Sequence, residues 1–394
     1  MKFDFSNTKY VRMFEDSLEG RRIISYILND PNLVKANYTF WRTFFPADPT
    51  PIPTDKSGRA AVRVEARQPE HATMADWRAP LGNSRLAEGG AASEYNAGII
   101  DLIAPGWQEQ AMEREYKEKL FQDLGDDAPL LLGYATDVLQ PRVDSVNMAL
   151  SNMAAQALSK SQVVYKGGKG ITGPVYKAPT PAENFTKMFH NIISDPDCDI
   201  LAELAEINQY YTESVWGNEN MPTEYLVPEA IFLNNFLKNA KVIDWLKVQW
   251  LLDKGQLINQ TSSVPSNIVD EATFQKYAIK YPGLPPIRVI REKQLNDGVV
   301  TSGWSPNIIT LKATGFAGKT YRTEILDRTL SEKYGNNIIT KVFGTTLDGI
   351  VTVENTTGVD GQYKYWATDV KCSATPILDL YLYMAHIDTS QVKA

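Results

Sequence analysis

An α+β fold class follows from two features of the 394-residue sequence. Segments with helical periodicity and segments with β-rich or alternating texture fall in separate runs rather than in strict alternation. The closing stretches "ITKVFGTTLDGIVTVEN" and "QYKYWATDVKCSATPILDLYLYMAHI" are mainly strand-like, whereas residues 181 to 247 read as helices broken by loops. A chain of this length buries a large core and is expected to form two or more subdomains.

Taken in order, "KYVRMFEDSLEGRRIISYILN" (9 to 29) carries Tyr10, Met13, Phe14, Leu18, Ile24 and Leu28 on one helical face, and Asp30-Pro31 ends it. The next segment is aromatic and then proline-rich, with Pro46, Pro49, Pro51 and Pro53, which describes an extended arm. Two readings of that arm stand side by side: a loop laid over its own domain, or an arm that grips a neighbour. Residues 59 to 67 alternate, with Val62 and Val64 facing one way and Arg63, Glu65 and Arg67 the other, as in a half-buried strand. "GIIDLIAP" (98 to 105) supplies its expected partner, and the 67 to 98 stretch between them is polar and patternless. A two-stranded ribbon is marginal alone in water, so it must lie on its own domain or on another copy.

A charged helix is expected over 107 to 124, and a longer helical region from Pro129 to Lys160, with Gly133 and Pro141 as places for a kink. Within it Leu139, Val143, Val146, Leu150, Met153 and Ala157 step by alternating fours and threes, a continuous core-facing stripe. "VVYKGGKGITGPVY" reads as a hairpin; its Gly-Gly-Lys-Gly lacks the phosphate-loop spacing. "PAENFTKMFHNIIS" and "DPDCDILAELAEINQYYTES" read as helices, and 221 to 247 as a strand and two helices. After "GLPP", the strand "IRVIREKQ", the turn Asn296-Asp297-Gly298 and "IITLKATG" form an expected hairpin.

Chemistry is sparse. His71, His190 and His386 have no partner at metal-ligand spacing, and no nucleophile elbow, zinc helix, calcium loop or dinucleotide fingerprint occurs. The sequence makes no case for an enzyme, a cofactor or a metal. Net charge is −7 with no basic run, which argues against a dedicated nucleic-acid binder. Cys198 and Cys372 are too few for a disulfide framework and are expected to be free thiols. No apolar run approaches a membrane span, and the first residues lack a secretory pattern, so a cytoplasmic site of synthesis is expected.

The order of parts resembles the major capsid proteins of tailed bacteriophages, the Hong Kong 97 fold, and in particular the lambda-type major head proteins. The stretches that carry it are "RVDSVNMALSNMAAQALSKSQVVYKG" (142 to 167), a long helix ending in small and polar residues before a strand, and 284 to 315, a strand, an Asp-Gly turn, a Pro-bearing loop and a second strand. The resemblance implies an N-terminal arm over 1–56 and an extended β-hairpin loop over 57–108. It further implies a peripheral domain with a long spine helix over 109–196, an axial domain over 197–340, and closing strands over 341–394 that return to the peripheral domain. It implies a structural protein of the virion, assembled in a bacterial cytoplasm through hexamers and pentamers of itself around double-stranded DNA. Decoration, scaffolding and portal proteins are its implied partners, and no sequence-specific DNA contact or membrane is. Only about thirty helical residues precede the arm, so a cleavable scaffolding segment is expected to be absent or already removed. Arg63, Arg67, Arg78, Arg85, Glu88 and Glu94 of the extended loop are the expected inter-subunit contacts. An encapsulin-like compartment shell shares the implied fold, and a phage tail protein is the alternative of another class.

Overall fold

The computed structural model describes residues 39–53, 60–67, 92–99, 101–103, 107–108, 140–166, 172–255, 269–296, 299–323, 338–345, 349–360 and 363–393. The expected helix over 9 to 29 and most of the charged helix over 107 to 124 lie outside these residues.

The arm enters as a short helix α1 (Phe40–Phe44). Two strands follow, β1 (Ala60–Arg67) and β2 (Ala92–Ile99), then the short β3 (Asp101–Ile103) and β4 (Trp107–Gln108). The long helix α2 is described over Gln140–Lys160, and the part of the expected helical region before Gln140, with Gly133, lies outside the described residues. The helix ends at Ser161, in the left-handed region with φ 53°, and leads into the hairpin β5 (Gln162–Lys166) and β6 (Thr172–Lys177).

The "PAENFTKM" segment departs from the helix its acidic start announces: Phe185–Met188 form strand β7. Four residues are too few for a helical stripe to decide the matter, and a neighbouring strand takes up their backbone groups. Helix α3 (Ile200–Gln209) is capped by Asp199 and runs into a π-turn over Tyr210–Val215. Strand β8 (Thr223–Pro228) and helices α4 (Glu229–Asn234), α5 (Ala240–Asp253) and α6 (Glu271–Ala278) follow, α5 and α6 being capped by Asn239 and Asp270.

Strand β9 (Ile287–Ile290) and the short pair β10 (Gln294–Asn296) and β11 (Val299–Thr301) precede β12 (Ile308–Ala313). The Asn-Asp-Gly turn therefore joins β10 to β11, and "IITLKATG" is not its partner. Strands β13 (Gly318–Arg322), β14 (Ile338–Thr345), β15 (Val351–Asp360), β16 (Tyr363–Leu378) and β17 (Met384–Val392) close the chain.

Two sheets carry the described body. One runs β7-β17-β12-β8-β9, and the other runs β13-β16-β15-β14, with β3 and β4 also paired to β16. Alternation along the first sheet divides its side chains between two cores. Tyr225, Val227, Ile309, Leu311, Ala385 and Ile387 pack beneath α3 to α6. Leu226 and Met384 belong to the other core, with α2, α1, β1, β2 and β16. That second face also carries polar groups: Glu224, Thr310, Lys312 and His386, all nearly or fully buried. Register makes them neighbours, with Thr310 opposite His386 and Lys312 opposite Glu224.

Glu224, Thr310 and Lys312 each meet a partner, as buried polar groups generally do, and His386 meets one at Nε2 while its buried Nδ1 has none. The Thr310 hydroxyl donates to the Leu158 carbonyl at 2.9 Å, taking up one of the unpaired oxygens at the end of α2. His386 Nε2 lies 2.7 Å from Ser161 Oγ. Lys312 Nζ meets Glu224 at 2.7 Å and the carbonyls of Ala313 and Gly315 at 2.8 and 2.7 Å. Burial pulls the Lys312 ammonium down while Glu224 opposes it.

The arm covers the rest. Trp41, Phe44 and Phe45 are fully buried in the body of their own chain. Trp41 Nε1 donates to Asn147 Oδ1 of α2 at 3.2 Å, and the Phe44 ring lies 5.6 Å from Lys312 Nζ. Over its described residues, the arm is laid on its own domain.

Replacing Asn147 by Ala orphans the buried Trp41 indole N–H and should cost about 1–3 kcal/mol in urea unfolding; an unchanged midpoint would show that the hydrogen bond holds nothing. His386 gives a pH signature. Burial holds its imidazole down to about 3, so between that value and the ordinary pKa of about 6.5 the unfolded chain binds a proton that the folded chain refuses. Stability from this site is complete above pH ~6.5 and falls toward pH ~3, by on the order of 5 kcal/mol in all. His386→Asn should flatten that part of the wild-type slope in unfolding midpoints measured from pH 7 to pH 4.

Candidate functional site

The ribbon β1–β2 pairs antiparallel from Ala60 opposite Ile99 to Arg67 opposite Ala92. Its second strand therefore begins earlier than the sequence pattern placed it. "GIIDLIAP" is divided, with Gly98 and Ile99 ending β2 while Asp101–Ile103 turn to β16. The physical reason is β16 itself, whose length gives the β3 residues a partner that the ribbon could not.

The two ribbon faces differ sharply. Val62, Val64, Tyr95 and Ala97 are buried in the core that contains α2 and β16. The Tyr95 hydroxyl donates to the Leu378 carbonyl at 2.5 Å, and its ring meets Tyr176 and Tyr381 at 5.5 and 5.4 Å. Burial pushes the Tyr95 and Tyr176 phenols well above their usual pKa, so both stay neutral. The Tyr381 hydroxyl adds a 2.8 Å bond to the Ser93 carbonyl. Of the two supports expected for the ribbon, its own domain or another copy, the described strands have the first, since Tyr176 of β6, Tyr381 of the turn after β16 and the Leu378 carbonyl of β16 seal the inner face.

The outer face is charged and wet. Ala61, Arg63, Glu65, Glu94 and Asn96 are exposed. Arg63 Nε lies 3.1 Å from Glu94 Oε2 and 3.2 Å from Glu65 Oε1, so Arg63 and Glu94 are paired across the ribbon. The Arg67 backbone closes the described part of β1. Its side chain, and Arg78, Arg85 and Glu88 entirely, lie outside the described residues.

On α2, Val143, Val146, Leu150, Met153 and Ala157 are all buried, and Leu139 lies outside the described residues. Sequence reasoning missed the adjoining row. Asn147, Ser151, Ala155 and Ser159 are also buried and recur every fourth residue, the spacing of one helix face. Ser159 Oγ accepts the Ser305 N–H at 3.0 Å, and Ser151 Oγ accepts the Trp41 N–H at 3.5 Å. A Cβ at Gly303 would stand 2.4 Å from the Asn152 carbonyl, which explains glycine where the 302–305 loop crosses the helix. The signal was present in the sequence as small and polar residues at four-residue steps.

Three groups invite a catalytic reading. Ser161 and His386 form a hydrogen-bonded pair, but both are buried, and nucleophilic catalysis needs a base oriented by a third group beside an open substrate position. Glu292 accepts from Ser302 Oγ at 2.7 Å and the Gly303 N–H at 2.8 Å, and burial raises its pKa; it ties the β10–β11 hairpin to the loop on α2. His190 is exposed on Glu206 at 2.8 Å, and that carboxylate raises its pKa. Among the described residues no group of three His, Cys, Asp or Glu is arranged to hold a metal ion, and no helix is long and apolar enough to cross a membrane. Cys198 and Cys372 are both buried, in the two different cores.

No family model and no curated protein sequence matches the chain. Among solved structures, a capsid protein of an E. coli CFT073 prophage is similar over 97% of this chain and 98% of its own, with 11% identity and a TM-score of 0.46. The mature capsid of bacteriophage PhiM1 is similar over 89% of this chain and 86% of its own, with 8% identity and a TM-score of 0.42. A virus-like particle from Pyrococcus furiosus is similar over 96% of this chain and 100% of its own, with 9% identity and a TM-score of 0.41.

Proposed function

We propose that this chain is a structural shell protein, the major capsid protein of a tailed phage, which self-assembles through hexamers and pentamers into an icosahedral head around double-stranded DNA. The ribbon carries the reading. One face is fastened into the chain's own core by Val62, Val64, Tyr95 and Ala97, and the other presents Arg63, Glu65, Glu94 and Asn96 to solvent. A ribbon so anchored, whose strands are joined by the polar sequence of residues 68 to 91, turns one charged face to solvent, and a second copy is what those charges would meet.

In this reading residues 1–56 are the arm and 57–108 the extended loop. The peripheral domain occupies 109–196 with α2 as its spine, the axial domain 197–340, and 341–394 return to the body. Arg63, Arg67, Arg78, Arg85, Glu88 and Glu94 are the loop residues that face a neighbour. Each exposed pair is worth only about 0–1 kcal/mol, so register rather than affinity is their contribution, repeated in every subunit of a shell. The role is structural, without catalysis, and its place is the virion.

Electron microscopy of the purified chain tests the assembly reading. Closed, faceted particles are expected; a monodisperse monomer or small ring at every concentration would overturn it. Particles that copurify with an enzyme instead of DNA would point to a compartment shell, and tubes to a tail protein. Replacing residues 69–90 by a short Gly-Ser turn keeps both strands of the ribbon. That variant should fold with wild-type circular dichroism yet fail to hold shells, and normal shells from it would sink the assignment of the loop.

A further inference from the structure

Three adjacent strands bring one carboxylate and two cations together beneath the arm. Lys312 of β12 pairs with Glu224 of β8, and Arg288 of β9 pairs with Leu226, two residues on from Glu224. All three charged side chains therefore belong to one face of the sheet. Glu224 lies 2.7 Å from Lys312 Nζ and 3.3 Å from Arg288 Nε. Lys312 is fully buried, and its remaining N–H groups are taken up by the carbonyls of Ala313 and Gly315 at 2.8 and 2.7 Å. Two cations share one carboxylate, which leaves a positive excess at a lysine that water does not reach.

Phe44 of the arm stands over that excess. Its buried ring has the Arg288 guanidinium carbon 5.2 Å and Lys312 Nζ 5.6 Å from its centroid. The face of an aromatic ring is partly negative and attracts cations within about 6 Å. With no N–H of Lys312 left to donate, a ring face is a partner that suits it. The backbone fixes the ring and carries on to the edge of the other sheet. The Ala317 N–H donates to the Phe44 carbonyl and the Thr320 hydroxyl to the Phe45 carbonyl, both at 2.8 Å. Residues 46 to 52 then run along β13, where the Asp48 N–H donates to the Thr320 carbonyl at 2.9 Å and the Ile52 N–H to the Arg322 carbonyl at 2.7 Å. These bonds cap an edge that would otherwise be open to pairing with another strand.

We infer that the arm is a strap keyed to this charge cluster: Phe44 closes over Arg288 and Lys312 once β8, β9 and β12 are in register, and its closure caps the β13 edge. The cluster exists only while the three strands pair as they do, since a slip of one residue in any of them turns its charged side chain to the opposite face. An uncharged apolar face would accept the ring with or without that register. The contrary reading makes Phe44 an apolar filler, whose loss costs the same whatever lies beneath it. The two readings differ in whether the ring's contribution depends on the cations.

Hydrogen–deuterium exchange of the full chain reads strap closure at the Asp48 and Ile52 amides. It reads the sheet at the Tyr225 amide, which donates to the Pro286 carbonyl at 2.8 Å. Phe44→Leu should lower the protection of Asp48 and Ile52 about tenfold, the size of a desolvated cation–ring contact, and leave Tyr225 unchanged. Arg288 is half-exposed, so its replacement leaves the core of the sheet in place. In an Arg288→Met chain Phe44→Leu should cost no more than about threefold, and in an Arg288→Lys chain, which keeps the charge, most of the tenfold cost should return. An equal cost in the Arg288→Met and wild-type chains, no cost at all, a cost that stays small in Arg288→Lys, or a loss shared by Tyr225 would each overturn the keyed strap.

Discussion

The constraint on which the rest of the structure depends is the polar face of the β7-β17-β12-β8-β9 sheet. Glu224, Thr310, Lys312 and His386 project from adjacent strands into a space from which water is excluded. An unpaired buried hydroxyl or imidazole costs about 1–3 kcal/mol, and an unpaired charge more. The sheet is therefore tolerable only if something polar lies on it in one position. The end of α2 supplies the Leu158 carbonyl and Ser161 Oγ, and the Gly315 carbonyl with Glu224 closes around Lys312. An apolar face would accept a helix in many orientations, whereas these partners fix where α2 must stop.

That fixed helix then determines what can cover it. Apolar residues at 143, 146, 150, 153 and 157 face one side, and the row 147, 151, 155, 159 is buried beside them. A helix buried this widely needs lids from several parts of the chain. The lids are distant in sequence: Trp41 from the arm on Asn147 and Ser151, and the 302–305 loop on Ser159 and Asn152. Hydrogen bonds to side chains on the helix set where each lid lands, and the aromatic rings of Trp41, Phe44 and Phe45 then fill the space.

The same face explains what was and was not legible in the sequence. Elements with a long run of their own kind were readable: the stripe on α2, the alternation of β1, the paired strands around the Gly-rich turn. The error at "IITLKATG" was of another kind. That segment is expected to pair across the Asn-Asp-Gly turn, whereas β12 pairs with β8 and β17, and its Thr310 and Lys312 alternate with Ile309 and Leu311. Here the polar residues face a helix end and an arm far away in sequence, a fact that no local pattern carries. Strand β7 failed for a related reason, since its existence depends on β17, some two hundred residues later. At the ribbon, the alternation of charges gave the exposed face of β1 correctly. The cover on the other face came from Tyr95, Tyr176 and Tyr381, whose meeting depends on the tertiary fold.

Sealing the ribbon's inner face alters the argument for its outer one. A ribbon with two bare faces would need a neighbour merely to exist, and its partner would be chosen by hydrophobic area. Anchored by Tyr95 and the two valines, the base of this ribbon is stable without one, and Arg63 is already held between Glu65 and Glu94. In the proposed shell, a ribbon held this way would spend the entropy of aligning its two strands in folding rather than in association. What remains for a contact beyond the base is discrimination by charge. In the proposed shell, weak, repeated, polar contacts of that kind would allow a misplaced subunit to leave, whereas an apolar ribbon would hold wherever it first touched.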